Sequence, residues 1–153
     1  MRIAVSADHA GYPLKEEIRA LMSRQGHDVQ DLGTHSTSPV DYPDAAQAVA
    51  EALTHGEAER GVIFCGSGAG VSIAANKFAG IRAAVCHDTY TAHQAVEHDD
   101  MNVLCIGARV VGSALAFEIV TAFLGARFSK EPRHQRRLDK ILALEKRSIA
   151  RAD

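Results

Sequence analysis

The sequence predicts an α/β fold: a single Rossmann-like, three-layer α/β/α domain with a five-stranded, mainly parallel sheet and one extra C-terminal helix. Three observations carry this. Apolar runs of strand length alternate with amphipathic segments of helix length along the chain, the pattern of a parallel sheet covered on both faces. Glycines and prolines fall where that alternation changes over. The 153 residues, 46% hydrophobic and 24% charged, suffice for one domain with a core, and no repeat, low-complexity segment or linker divides them. Residues 1–153 are therefore read as one domain.

The elements follow in order. Arg2 to Ala7 is an apolar first strand closed by Asp8-His9-Ala10-Gly11. Pro13 suits the first turn of a helix that runs to about Arg24, with Leu14, Ile18, Leu21 and Met22 on one face. His27 to Leu32 is a weaker strand, expected near an edge. Gly33 to Pro43 reads as a polar loop, and Ala45 to Leu53 as an alanine-rich helix. Val62 to Cys65 is a short buried strand. Ser72 to Phe78 is a helix ended by Gly80. Ile81 to Cys86 and Met101 to Ile106 are the last strands, with a helix from Thr89 to His98 between them. Val110 to Leu124 is a further helix. After Pro132 comes a final amphipathic helix, about 133–151, with Leu138, Ile141, Leu142 and Ile149 expected inward and a surplus face for another subunit.

The chemistry concentrates on Cys65-Gly66-Ser67-Gly68-Ala69-Gly70. A thiol ends a strand, on a glycine loop that can lie close to a ligand, facing a helix start. Free N–H groups there favour anions, and a thiolate over a thiol. The plain alternative is a tight turn with an inert buried cysteine. Asp8 and His9, Cys86 to Asp88, and Gly107 to Arg109 end other strands, so a parallel sheet gathers all of them on one rim. Asp8-His9 also suits a turn and helix cap. Cys86 is a rival thiol, but no glycine loop follows it. His87 and Asp88 have no third ligand at matching spacing, so no metal site is expected. Arg133 and Arg137, four apart, share a helix face that either meets solvent or, with His134, grips a phosphate.

Charge and motif exclude other classes. Residues 127–153 hold nine Lys/Arg against four Asp/Glu, a net +5, on a body of net −7. Such a tail can serve nucleic acid, self-association or a small anion. Only 5% of residues are aromatic and none is Trp, which weighs against nucleic acid. No apolar run spans a bilayer, and Met1 leads directly into a strand, not a signal peptide. Three cysteines, an odd number without metal spacing, point to free thiols in the cytoplasm. Gly66 to Val71 lacks the last glycine of a dinucleotide fingerprint, no nucleotide P-loop occurs, and Val71 stands where a cysteine phosphatase needs Arg.

An ordered set of motifs remains: Asp8-His9-Ala-Gly, Asp41-Tyr-Pro, Cys65-Gly-Ser-Gly-Ala-Gly, Ala74-Ala-Asn-Lys-Phe-Ala-Gly-Ile-Arg82, Glu97-His98, Asn102-Val-Leu, Gly107-Ala-Arg109-Val-Val-Gly and Arg133-His-Gln-Arg-Arg137. From residue 2 to about 150 the chain resembles the type B ribose-5-phosphate isomerases, in the wider family that includes galactose- and allose-6-phosphate isomerases.

The resemblance implies cofactor-free interconversion of ribose 5-phosphate and ribulose 5-phosphate through a cis-enediolate. Cys65 matches the base. The amides of Gly66, Ser67, Gly68, Ala69 and Gly70 match the anion hole, and Ser67, where many relatives carry Thr, can relay a proton. His98, with Asp8 across the site, matches the ring-opening residue, which relatives take from the neighbouring subunit. His9, Arg109, Arg133 and Arg137 match phosphate positions, with Arg109 supplied either by the same chain or across the interface. Asp99 stands where relatives often carry Asn, and either accepts from a sugar hydroxyl or turns away. The implied assembly is a homodimer with shared sites, with pairing into tetramers left open. The competing expectations are a six-carbon phosphosugar isomerase, a non-catalytic phosphosugar- or nucleotide-binding module, and a basic-tailed nucleic-acid binder.

Overall fold

The computed structural model describes residues 1–150; the expected end of the last helix at 151 lies outside them. Five strands form one sheet: β1 (Arg2–Ala7), β2 (Asp28–Asp31), β3 (Arg60–Cys65), β4 (Ala83–Val85) and β5 (Val103–Gly107). Their order is β2-β1-β3-β5-β4, and every pairing is parallel. The central β3 lies between β1 and β5, so Val62, Ile63 and Phe64 are fully buried and the strand needs no polar face.

Six helices accompany the sheet: α1 (Tyr12–Arg24), α2 (Tyr42–Thr54), α3 (Ala69–Ala75), α4 (Thr89–Asp99), α5 (Ser113–Gly125) and α6 (Pro132–Ile149). α1, α4 and α5 cover one face through Ile18, Met22, Val96, Ile119 and Phe123. α2 and α3 cover the other through Ala46, Val49, Val71 and Ala75. Small alanines on α2 let that helix lie close to the sheet. α6 belongs to neither layer and packs against α4.

Several boundaries differ from the sequence reading, each for a local reason. α2 starts at Tyr42, three residues early, because Pro43 fits the first turn. α3 starts at Ala69 instead of Ser72, because Gly68 takes φ +83° and caps it. α5 starts only at Ser113, after the extended Gly112. β4 is the shortest strand. The Asn76 side chain takes over its edge, accepting from Ala83 N–H at 2.9 Å and donating to Ala83 C=O at 2.8 Å. The expected inward face of α6 is corrected most. Leu138 is buried and Leu142 half-buried, but Ile141 is 42% and Ile149 50% exposed. Past Leu138 the helix spans an open cavity above Phe78, Ile81 and Met101, where Glu145 accepts from Gly80 N–H at 3.0 Å, so its apolar residues stay partly exposed.

Candidate active site

In the order β2-β1-β3-β5-β4, the chain leaves β1 toward one face through α1 and leaves β3 toward the other through α3. Such a switch point opens a crevice beyond the C-terminal ends of the two strands. β1 delivers Asp8 there and β3 delivers Cys65.

Asp8 is 8% exposed, and its Oδ1 accepts from Ala10 N–H and Gly11 N–H, both at 2.9 Å. These bonds fix the carboxylate plane at the start of α1. Gly11 is required for this approach: a Cβ on it would lie 2.4 Å from the Phe64 carbonyl. His9, the next residue, accepts from Val40 N–H at Nδ1, 3.3 Å away.

Cys65 is 4% exposed, and its sulfur accepts from Gly68 N–H at 3.0 Å. The loop folds back over the thiol because Gly68 is left-handed. It also crosses β5, where a Cβ on Gly107 would lie 2.7 Å from the Ser67 carbonyl group. Ser67 is exposed, and its Oγ accepts from Ala69 N–H at 3.3 Å. The Arg109 N–H donates to Gly66 C=O at 3.1 Å, which carries the Arg109 side chain to the same place. The result is a cleft of about 390 Å³ lined by Asp8, Tyr42, Cys65, Gly66, Ser67, Gly70, Arg109 and Val110.

The other thiols are unsuited to proton transfer. Cys86 is 1% exposed, and burial, with Asp88 nearby, pushes it up to about 11. Burial raises Cys105 further.

His98, Asp99, Arg133 and Arg137 are not in this cleft. α4 returns from the C-terminal edge of the sheet to its N-terminal edge, so its last turn lies at the start of β5. The five residues of β5, about 15 Å of strand, separate the two ends. There the His98 and His134 rings stack with centroids 4.0 Å apart. Gln94 Nε2 lies 2.8 Å from His98 Nδ1, and Ser129 Oγ lies 2.7 Å from His134 Nδ1. Burial, then the His98 and Arg133 charges, hold His134 below the usual imidazole range. Arg133 and Arg137 are exposed on the first turns of α6, and Arg133 Nε donates to Glu131 at 2.9 Å. Exposed Asp99 lines a larger cavity of about 620 Å³, walled by Phe78, Ile81, Met101, Ile141 and Leu144. That cavity is the roomier of the two, but it holds no thiol, histidine or glycine loop.

Residues 3–141 match the model of a family described as Ribose/Galactose Isomerase. The chain belongs to the ribose/galactose isomerase family. Among the relatives of this isomerase chain, ribose-5-phosphate isomerase B of Escherichia coli is 49% identical over 146 residues, 95% of this chain and 97% of that one. The D-erythrulose-4-phosphate isomerase of Pectobacterium atrosepticum is 43% identical over 130 residues, 84% of this chain and 85% of that one. The solved ribose-5-phosphate isomerase B of Clostridium thermocellum superposes with a TM-score of 0.94 at 49% identity, covering 97% and 99% of the two chains.

Two residues that line the smaller cleft are not marked by the sequence reading. Tyr42 stood in the Asp41-Tyr-Pro motif, yet nothing local marked it as facing Gly70, where an added Cβ would come 2.9 Å from its ring. Val110 was assigned to the start of a helix, whereas it belongs to the turn that follows β5. Among the described residues no group of His, Cys, Asp or Glu is arranged to hold a metal ion, and no helix is long and apolar enough to cross a membrane.

Proposed function

We propose that this chain interconverts ribose 5-phosphate and ribulose 5-phosphate, with Cys65 as the base and the active site completed by a second copy of the chain. The observation that carries the chemistry is the Cys65 sulfur under the glycine loop, in one cleft with Asp8, Ser67 and Arg109. In the open aldose, the sulfur takes the proton from C2. The electron pair moves into the C1–C2 bond, and the carbonyl oxygen becomes the enediolate oxygen. Backbone N–H groups of the loop stabilise that oxygen. Ser67 passes the O2 proton to O1, and the thiol returns its proton to C1. One hydrogen has moved from C2 to C1 and one proton from O2 to O1, which is the ketose. Arg109 holds the phosphate end, so the reacting carbons are oriented by a group remote from them.

The second copy enters because His98, Arg133 and Arg137 lie a sheet's length from Cys65 in their own chain. In a two-fold dimer Asp8 takes the proton of the C1 hydroxyl, and the bond from C1 to the ring oxygen breaks as C1=O forms. The ring oxygen, held by the partner's His98, takes a proton from water. The partner's Arg133 and Arg137 join Arg109 and His9 on the phosphate. Exposed apolar groups lie at both ends: Val40, Tyr42 and Val110 near the cleft, and Ile141, Leu144 and Ile149 on α6. The α6 residues supply the face that packs on the partner. The cytoplasm is the compartment that suits three free cysteines.

The test is ribulose 5-phosphate formation with chelator present, for wild type and Cys65→Ala. Turnover in the wild type alone supports the reading, and undiminished turnover in Cys65→Ala refutes the base. Parallel assays with allose 6-phosphate, galactose 6-phosphate and D-erythrulose 4-phosphate rank the sugars by kcat/KM. Phosphosugar binding with no turnover on any of them would favour a binding module.

A further inference from the structure

An imidazole that assists ring opening must present one particular nitrogen, in a particular plane, to an oxygen held by another subunit. His98 sits on the last turn of α4, half-buried. An unrestrained ring there has two orientations about its terminal torsion and two neutral tautomers. Two neighbours remove that freedom.

Gln94 stands one turn earlier on the same helix, where side chains four apart meet. Its amide nitrogen is 2.8 Å from His98 Nδ1. An amide nitrogen donates and does not accept, so Nδ1 is the acceptor and the proton of the neutral ring rests on Nε2. His134 closes one face of the same ring, with centroids 4.0 Å apart and planes inclined by 31°. His134 is itself 2% exposed and bound at Nδ1 to Ser129 Oγ. Ser129 N–H donates to Glu97 C=O at 3.0 Å, tying this wall back to the turn that carries His98. Packing alone does not call for this arrangement: a leucine would fill the space without a buried polar ring that must be hydrogen-bonded.

We propose that Gln94 and His134 are positioning residues that hold His98 with Nε2–H outward, so that it donates a hydrogen bond to the ring oxygen of a cyclic phosphosugar in the partner's cleft. The proposal rests on the ring-opening role of His98 given above and adds which nitrogen acts and what aims it. The charged groups around the pair are Arg133, Arg137 and Glu131 on the α6 side, and Glu97 and Asp99 on α4. With Nδ1 accepting from Gln94, the donating form is the neutral ring, since an imidazolium would set its Nδ1–H against the amide N–H. Activity on cyclic sugar therefore does not fall as pH rises through the imidazole titration.

The experiment uses two substrates. Ribose 5-phosphate is mostly a closed furanose. Ribulose 5-phosphate cannot close that ring, because its carbonyl is at C2 and O5 carries the phosphate. The two sugars are the two sides of one equilibrium, so kcat/KM must fall equally in both directions and every contrast is read in kcat at saturating sugar. His134→Ala is expected to lower kcat for ribose 5-phosphate about tenfold, less than loss of the acid itself would, and kcat for ribulose 5-phosphate less than about twofold. His134→Phe keeps the stack and restores most of the rate. Gln94→Glu puts an acceptor on Nδ1, moves the neutral ring's proton there and leaves Nε2 without one. Its ribose 5-phosphate rate acquires a fall with rising pH that its ribulose 5-phosphate rate lacks. Nitrogen-15 spectra of labelled His98 then show the Nε2–H form in the wild type and the Nδ1–H form in Gln94→Glu. A flat pH profile of the ribose 5-phosphate kcat in Gln94→Glu, or equal loss of kcat on both substrates in His134→Ala, overturns the proposal. His98→Asn separates the levels: if its kcat falls as much on ribulose 5-phosphate as on ribose 5-phosphate, the ring-opening role itself has failed.

Discussion

Gly107 has no side chain because the glycine loop occupies the space where one would be. A Cβ there would lie 2.7 Å from the Ser67 carbonyl, so Gly107→Ala pushes the loop off the end of β5 and moves Ser67 away from Cys65. We expect the variant to fold, with about 1–3 kcal/mol lost to overpacking. Its kcat/KM should drop at least about tenfold from misplaced groups; circular dichroism and steady-state kinetics check both. Cys86→Ala is the contrasting case. Its thiol is buried away from the cleft and held at about 11, so isomerase activity should be unchanged. Glu16 gives a pH prediction. A hydrogen bond from Arg19, against a burial cost and with help from Lys15, holds it at about 2 instead of 4.5. A depressed carboxyl contributes stability above its unfolded value and loses it as pH falls toward its folded one. Glu16→Gln should therefore flatten the decline in melting temperature between pH 4.5 and 2. At this scale the placement of Cys65, Asp8 and the glycines on one rim was legible in the sequence. It was not legible for Tyr42, because a tyrosine at a helix start carries no mark of what it covers.

Each helix start that differed from expectation turned on one backbone angle or ring. A run of alternating glycines reads as loop throughout, and only the left-handed φ of Gly68 shows that α3 begins at the next residue. Pro43 was read as the end of a loop and is the first turn of α2. The amphipathic pattern of α6 was visible in the sequence, but its target was not. Periodicity reports that a face is apolar, not which chain covers it. Leu144 is 62% exposed and Ile141 42% exposed beside the larger cavity. If α6 packs on a second copy as proposed, charging both, Ile141→Glu with Leu144→Glu, should leave the helical signal of the fold intact and yield monomers where the unaltered chain is a dimer. Sedimentation or light scattering reads that change, and turnover of ribose 5-phosphate should fall with it.

Alternating strands and helices made the sheet and its C-terminal rim predictable, and the rim does gather Asp8, Cys65, Ser67 and Arg109. Strand order, and with it the switch point between β1 and β3, was not predictable, because alternation is the same for many orders. The same topology sends His98, Arg133 and Arg137 to the opposite edge. A site that needs them all therefore needs two chains. The most direct measurement mixes Cys65→Ala with His98→Asn, each expected to lose nearly all activity on ribose 5-phosphate, under conditions that exchange subunits. In a shared-site dimer, each hybrid has one site with both Cys65 and the partner's His98. The mixture should then recover about a quarter of wild-type activity, since half the dimers are hybrids with one good site of two. Activity no greater than that of the two separate variants, with subunit exchange verified, would contradict the account.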